Sequence, residues 1–193
     1  MEGIMPAGLG GMPGGAAPEA PKDDGKMLDL SAKIDNSDCY ARNQAPGFPM
    51  TNLFIGDSRL GCKSDADEQL IIHISFQEFV KIKSIKFTAF NNGENPEDNP
   101  AGVKLYVNRN NLGFEDIEDV EPTQEFSLTD EDLRESSDPM MTRFVKFQRV
   151  KTLTLFIDDN QGGEVSALGS IKMMGRTVAT TNMNDFKGKP DGA

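Results

Sequence analysis

The chain has 193 residues, and 31 acidic against 20 basic side chains give a formal charge of −11 with the single histidine neutral. A nucleic-acid binder needs a basic face, which so acidic a chain supplies only by segregating its charges, and the sequence shows no such segregation. With 37% hydrophobic and 26% charged residues, the composition suits one globular domain.

Trp is absent, Tyr occurs twice and Phe twelve times, so a Phe-rich core is expected. Cys39 and Cys62 are too sparse for a disulfide scaffold and lack the paired spacing of a zinc site, and they read as reduced thiols. The first twenty residues have no basic start followed by an apolar run, and no stretch reaches the ~18 apolar residues of a membrane span. Glu2 after Met1 does not fit the myristoylation pattern. The expected address is the cytoplasm, with the nucleus as a second, and no membrane contact.

Residues 1–26 are dominated by Gly, Pro and Met without an apolar period, which predicts a disordered tail. Met27 to Ile34 opens the ordered region as a helical turn or a first strand. Pro46, Gly47 and Pro49 mark a loop, and Asn52 to Ile55 reads as a short strand. Gln69 to Ser75 and Val80 to Phe90 read as two β-branched strands. The second slips phase between Ile82 and Ile85, which predicts a β-bulge near Ser84. Asn91 to Gly102 is a polar loop. Val103 to Val107 alternates with Lys104 and Tyr106 on the outer face. Phe126 to Leu128 leads into Thr129–Leu133, whose hydroxyl and acids suit a helical turn. Arg143 to Val150, Thr152 to Asp158 and Leu168 to Met174 complete the expected strands, with a turn at residues 159–163. Five to eight short strands and almost no helix predict an antiparallel sandwich or barrel.

Catalytic motifs are missing: no GxGxxG, Walker loop, CxxC or HExxH occurs. His73 sits on the strand face opposite Ile72 and Ile74, where a structural or surface residue is expected rather than a catalyst. Asp65, Asp67, Glu68 and Gln69 precede one strand, and Asn160, Gln161, Gly162 and Gly163 form a turn. Asp158, Asn160 and Glu164 match only the opening of a calcium loop, so a self-capping turn is expected and no metal. Arg143, Lys146, Arg149 and Lys151 form a basic run suited to an acidic partner or to guarding an edge strand.

Four blocks, SDADEQLIIHISF (residues 64–76), PTQEFSLTDEDL (122–133), RFVKFQRVKTLTLFIDDNQGGE (143–164) and TTNMNDFK (180–187), closely resemble the PITH domain. The resemblance implies a jelly-roll β-sandwich, similar to galactose-binding-like domains, over residues 27–187, with residues 188–193 as a flexible end. It also implies association with the regulatory particle of the 26S proteasome. The chain is therefore expected to be a monomeric, non-catalytic interaction module without cofactor. Asp65, Asp67, Glu68, Gln69, Asn160, Gln161, Gly162 and Gly163 are the candidate contact residues. The alternative is a sandwich that binds a small ligand, carbohydrate or calcium.

Overall fold

The computed structural model describes residues 27–178, and the tract Leu70–Ala89 organises them. It is β-branched and aromatic, with no proline or glycine to interrupt it, so it forms one 20-residue strand where the sequence suggested two. The nine strands among the described residues are β1 (Leu28–Asp29), β2 (Tyr40–Arg42), β3 (Cys62–Lys63), β4 (Leu70–Ala89), β5 (Pro100–Val107), β6 (Gln124–Ser127), β7 (Met140–Met141), β8 (Val150–Asn160) and β9 (Ala167–Thr177).

Strand β4 changes partners along its length within one nine-stranded sheet. Its first part, Leu70 to Ser75, lies between β2 and β8, and the order continues through β5 to β6. The pairing with β8 shifts between Ser75 and Val80. From Val80 to Ala89 the strand pairs with β9, and Ser84 and Ile85 also pair with β7. Strands β1 and β3 flank β9. All pairs are antiparallel.

Alternation along these strands builds the core. Leu70, Ile72 and Ile74 of β4, Leu153, Leu155 and Ile157 of β8, and Val103 and Leu105 of β5 face Ile82, Ile85 and Phe87 of β4 and Ile171 and Met173 of β9 in one buried cluster. Phe87 meets Phe126 of β6 edge to face, with centroids 6.1 Å apart, a contact of about 0.5–1.5 kcal/mol beyond its buried area. The molecule is a mostly β, antiparallel sandwich, as the strand pattern implied.

The phase slip is a bulge. Ile82 faces Gly175 while Ser84 faces Met174, leaving Lys83 unmatched. Its carbonyl, freed from the ladder, accepts from Thr142 N–H at 3.0 Å, which draws the residue 142 region onto the bulge. A Cβ on Gly175 would lie 1.8 Å from the Lys81 carbonyl oxygen, so only glycine fits there.

Three further expectations need correcting. Asn52 to Phe54 lie in a 3-10 turn, Met50–Phe54, that buries Met50 and Leu53 and is capped by Ile55, because apolar spacing of three fits that turn rather than a strand. Arg143 to Val150 is likewise a 3-10 turn over Phe144–Phe147, with only Phe147 buried in it, and Val150 begins β8. Tyr106 is buried, not outward: a one-turn helix, Phe114–Ile117, covers that face, and Ile71, Tyr106, Leu112, Ile117 and Phe156 form a second small core. The Tyr106 hydroxyl donates to the Ile117 carbonyl at 3.2 Å. Residues Met27–Val178 form one compact unit. The expected tails and the block at residues 180–187 lie outside the described residues.

Candidate functional site

The candidate residues before β4 and after β8 come together at one end of the sandwich, because Leu70 pairs with Ile157 and Pro100 with Asn160. Asn43 fixes the first loop. Its backbone is left-handed (φ 66°), which asparagine tolerates better than most residues. Its side-chain carbonyl accepts from Ala66 N–H at 3.0 Å, and its amide donates to the Asp67 carboxylate at 2.9 Å and the Gln69 carbonyl at 2.6 Å. Asp67 also accepts from Gln69 N–H at 3.0 Å, and Asp65 N–H donates to the Asn43 carbonyl at 2.9 Å.

Ser64 and Ser166 tie this loop to the second. Ser64 N–H donates to the Ser166 carbonyl at 2.9 Å, Ser166 N–H donates to the Ser64 hydroxyl at 2.8 Å, and the Ser166 hydroxyl donates to the Glu68 carbonyl at 2.6 Å. In the second loop the buried Asn160 amide donates to the Gly163 and Val165 carbonyls, each at 2.9 Å, and its oxygen accepts from Gly162 N–H at 3.0 Å. Gly162 has a φ of 115°, and a Cβ on Gly163 would lie 2.3 Å from the Asp98 carboxylate. A third loop joins them: Gly163 N–H donates to the Glu97 carbonyl at 2.8 Å and Gln161 N–H to the Asn99 carbonyl at 3.0 Å. The Gln161 amide donates to the Leu128 carbonyl at 3.2 Å.

These bonds assign each motif residue a local task, and the face left exposed consists of Asp65, Ala66, Asp67, Gln161, Gly162 and Glu164, with Glu68, Gln69 and Gly163 half-buried. Exposed Asp65, Asp67 and Glu164 make this face acidic, and beside it burial, with the neighbouring Glu97, raises the pKa of Asp98 against the opposing pull of Lys63. The calcium-like trio does not gather. Asp158 pairs with Lys104 at 3.1 Å, while Asn160 caps its own turn. No group of three His, Cys, Asp or Glu side chains among the described residues is placed to hold a metal ion. Sequence reasoning missed Asn43, Ser64 and Ser166, and no local pattern marks them.

The groups with reactive side chains lie elsewhere. His73 is buried, stacked on Tyr40 with centroids 4.6 Å apart. Its Nδ1 lies 2.9 Å from the Thr154 hydroxyl, which donates onward to the Arg109 carbonyl at 3.2 Å. Thr154 therefore accepts from His73, whose proton sits on Nδ1. Burial lowers the His73 pKa, opposed by Asp38 and assisted by Arg42. The Cys62 thiol is fully buried and its pKa is pushed up to about 12. Burial also raises that of Cys39, with Asp35 and Asp38 adding to it and the Ser75 bond opposing. The Cys39 sulfur donates to the Asp35 carbonyl at 3.2 Å and accepts from Ser75 N–H at 3.3 Å.

The sequence model of one family, described as PITH domain, matches residues 20–191. The chain belongs to the PITH domain family. Thioredoxin-like protein 1 of Schizosaccharomyces pombe is 37% identical to this PITH domain over 157 residues, covering 79% of the chain and 53% of that relative. PITH domain-containing protein 1 of Danio rerio is 33% identical over 113 residues, covering 58% and 50% respectively. The chain thus spans about half the length of these two relatives. Among solved structures, the PITH domain is similar to the family 32 CBM from Clostridium perfringens NanJ in complex with galactose. There the TM-score is 0.54 at 8% identity, over 77% of this chain and 99% of that one. The CBM32-1 and CBM32-2 domains of Clostridium perfringens ZmpB, in complex with GalNAc, give a TM-score of 0.58 at 9% identity, over 75% of this chain and 35% of that one. At these identities the likeness shows the fold, a galactose-binding-like β-sandwich.

Proposed function

We propose that this PITH domain is a non-catalytic protein-interaction module of the cytoplasm and nucleus that associates, as a monomer, with the regulatory particle of the 26S proteasome. The observation that carries the reading is the joining of two separate loops into one fixed acidic surface through Ser64 and Ser166, with Asn160 fixing the second loop. A surface whose geometry is set before binding loses little conformational freedom on docking. Asp65, Asp67 and Gln161 present it to solvent. The absence of a catalytic role is supported by a histidine engaged with Tyr40 and Thr154 and by thiols that stay protonated at neutral pH.

The test is capture of regulatory-particle subunits from cell lysate by the full chain, compared with the charge-reversed Asp65→Lys, Asp67→Lys variant at matched thermal stability. The wild type is expected to retain the particle, increasingly less as salt shortens the ~8 Å Debye length, and the variant to lose it. Wild-type protein that retains no particle overturns the association. Equal retention by the folded variant overturns the surface.

A cleft of about 580 Å³ on the outer face of β4 and β9 favours the second reading, a small-ligand site. Lys86, Ser137, Ser170 and Lys172 line it beside Phe54, a mixture of polar groups and one ring suited to a sugar. A rise in melting temperature with galactose would support it, and none would remove it.

A further inference from the structure

The basic run at residues 143–151 is not absorbed by the reading above, and the structure divides it. Lys151 donates to the Phe76 carbonyl at 2.6 Å, and the Arg149 guanidinium lies 4.3 Å from the centre of the Phe79 ring. Arg143 and Lys146 remain exposed on the 3-10 turn. They do not guard β8, the strand that follows the turn, because β8 is interior.

Buried Phe147 anchors this turn to the core, and with only four residues in it the others are forced outward. Val145 is 88% exposed, Phe144 38%, and Met141 of β7 55%. Singly exposed apolar residues are ordinary, but three within five positions make a patch. Lys83, the bulged residue, joins the rim, since Thr142 binds its carbonyl through both N–H and hydroxyl at 3.0 Å. Among the described residues, Lys83, Arg143 and Lys146 make no ion pair, while Glu78 on β4 and Glu125 on β6 are taken by Lys33 and Lys104 at 3.2 and 3.9 Å.

We propose that Met141, Phe144 and Val145, rimmed by Lys83, Arg143 and Lys146, form a docking surface for an acidic protein segment carrying apolar side chains. Apolar contact supplies the attraction at the centre, and the cations select the sign of the partner. An anionic membrane fits less well. A flat lipid surface brings its charge against the whole chain at −11, whereas a peptide within a Debye length of the turn experiences mainly the three local cations. The surface is independent of the acidic loop end, so it stands or fails apart from the proteasome reading.

The test is a titration of the isotopically labelled full chain with a short peptide of alternating Glu and Leu, followed by amide NMR shifts. A Lys and Leu peptide and phosphatidylserine vesicles serve as parallel probes. Saturable shifts are expected at residues 83 and 141–147 with the Glu peptide. The Arg143→Glu, Lys146→Glu variant and Val145→Ser, each checked for an unchanged melting temperature, are expected to weaken binding about tenfold or more and about fivefold respectively. No saturable binding of the Glu peptide, equal binding of the Lys peptide, shifts confined to other residues, or binding of vesicles alone would each overturn the proposal. So would self-association of the chain through the same residues without peptide binding.

Discussion

The two ends of the sandwich are held by different physics. At the loop end, polar side chains do the work: Asn43, Ser64, Ser166 and Asn160 bind backbone groups of two loops, and none of the exposed large apolar residues lies at residues 64–69 or 158–166. At the start of β8, one buried ring, Phe147, fixes a short turn that carries exposed Phe144 and Val145 with Arg143 and Lys146. Strand β8 separates the two regions by its 11 residues, roughly 35 Å of extended chain. The loop end keeps its shape through directional contacts alone, whereas the turn end adds one apolar anchor to the bonds that Thr142 and Gln124 make with its approach.

Removing the anchor breaks the comparison most severely. Phe147→Ala is expected to cost about 3–5 kcal/mol by denaturant unfolding, since it empties a fully buried site. Asn160→Ala removes the buried amide that closes the second loop. It is expected to cost about 2–3 kcal/mol, with faster hydrogen exchange at residues 161–163. Ser166→Ala, which cuts the bond to Glu68, is expected to cost about 1–2 kcal/mol and to loosen residues 65–69 in the same measurement. The Phe144–Phe147 turn should be unchanged in both loop variants.

The pH dependence is a smaller effect that belongs to neither end. His73 is buried with its pKa lowered, so the unfolded chain takes up a proton near its ordinary value of ~6.5 while the folded chain resists it. The stabilisation is present above that value and is lost as pH falls below it. Melting temperature is expected to decline from pH 7 towards 5.5, less steeply in His73→Gln, and equal slopes would show that the histidine is not responsible. Labelling with iodoacetamide at neutral pH is expected to be slow at Cys39 and slower at Cys62.

Legibility in the sequence followed how local each cause was. Strands β5, β8 and β9 were readable because alternating side chains face one core, as with Leu153, Leu155 and Ile157. The bulge was readable because Lys83 displaces the phase between Ile82 and Ile85. The Phe144–Phe147 turn was misread since Phe, Val and Phe among basic residues imitate a strand until burial separates Phe147 from its neighbours. Tyr106 was misplaced because its cover comes from residues 112–117, which carry no strand or helix period long enough to recognise. The loop residues themselves were picked out, but their meeting depends on the Ser64–Ser166 contact, 102 positions apart in the chain.

The proposed docking role of the acidic end is tested most directly by carboxyl footprinting of the chain with and without purified proteasome regulatory particle. Asp65 and Asp67 are exposed in the free protein, as is Asp29 on β1. The account predicts that labelling of Asp65 and Asp67 falls when the particle is added while Asp29 stays unchanged. Equal labelling of Asp65 and Asp67 in both samples would contradict it.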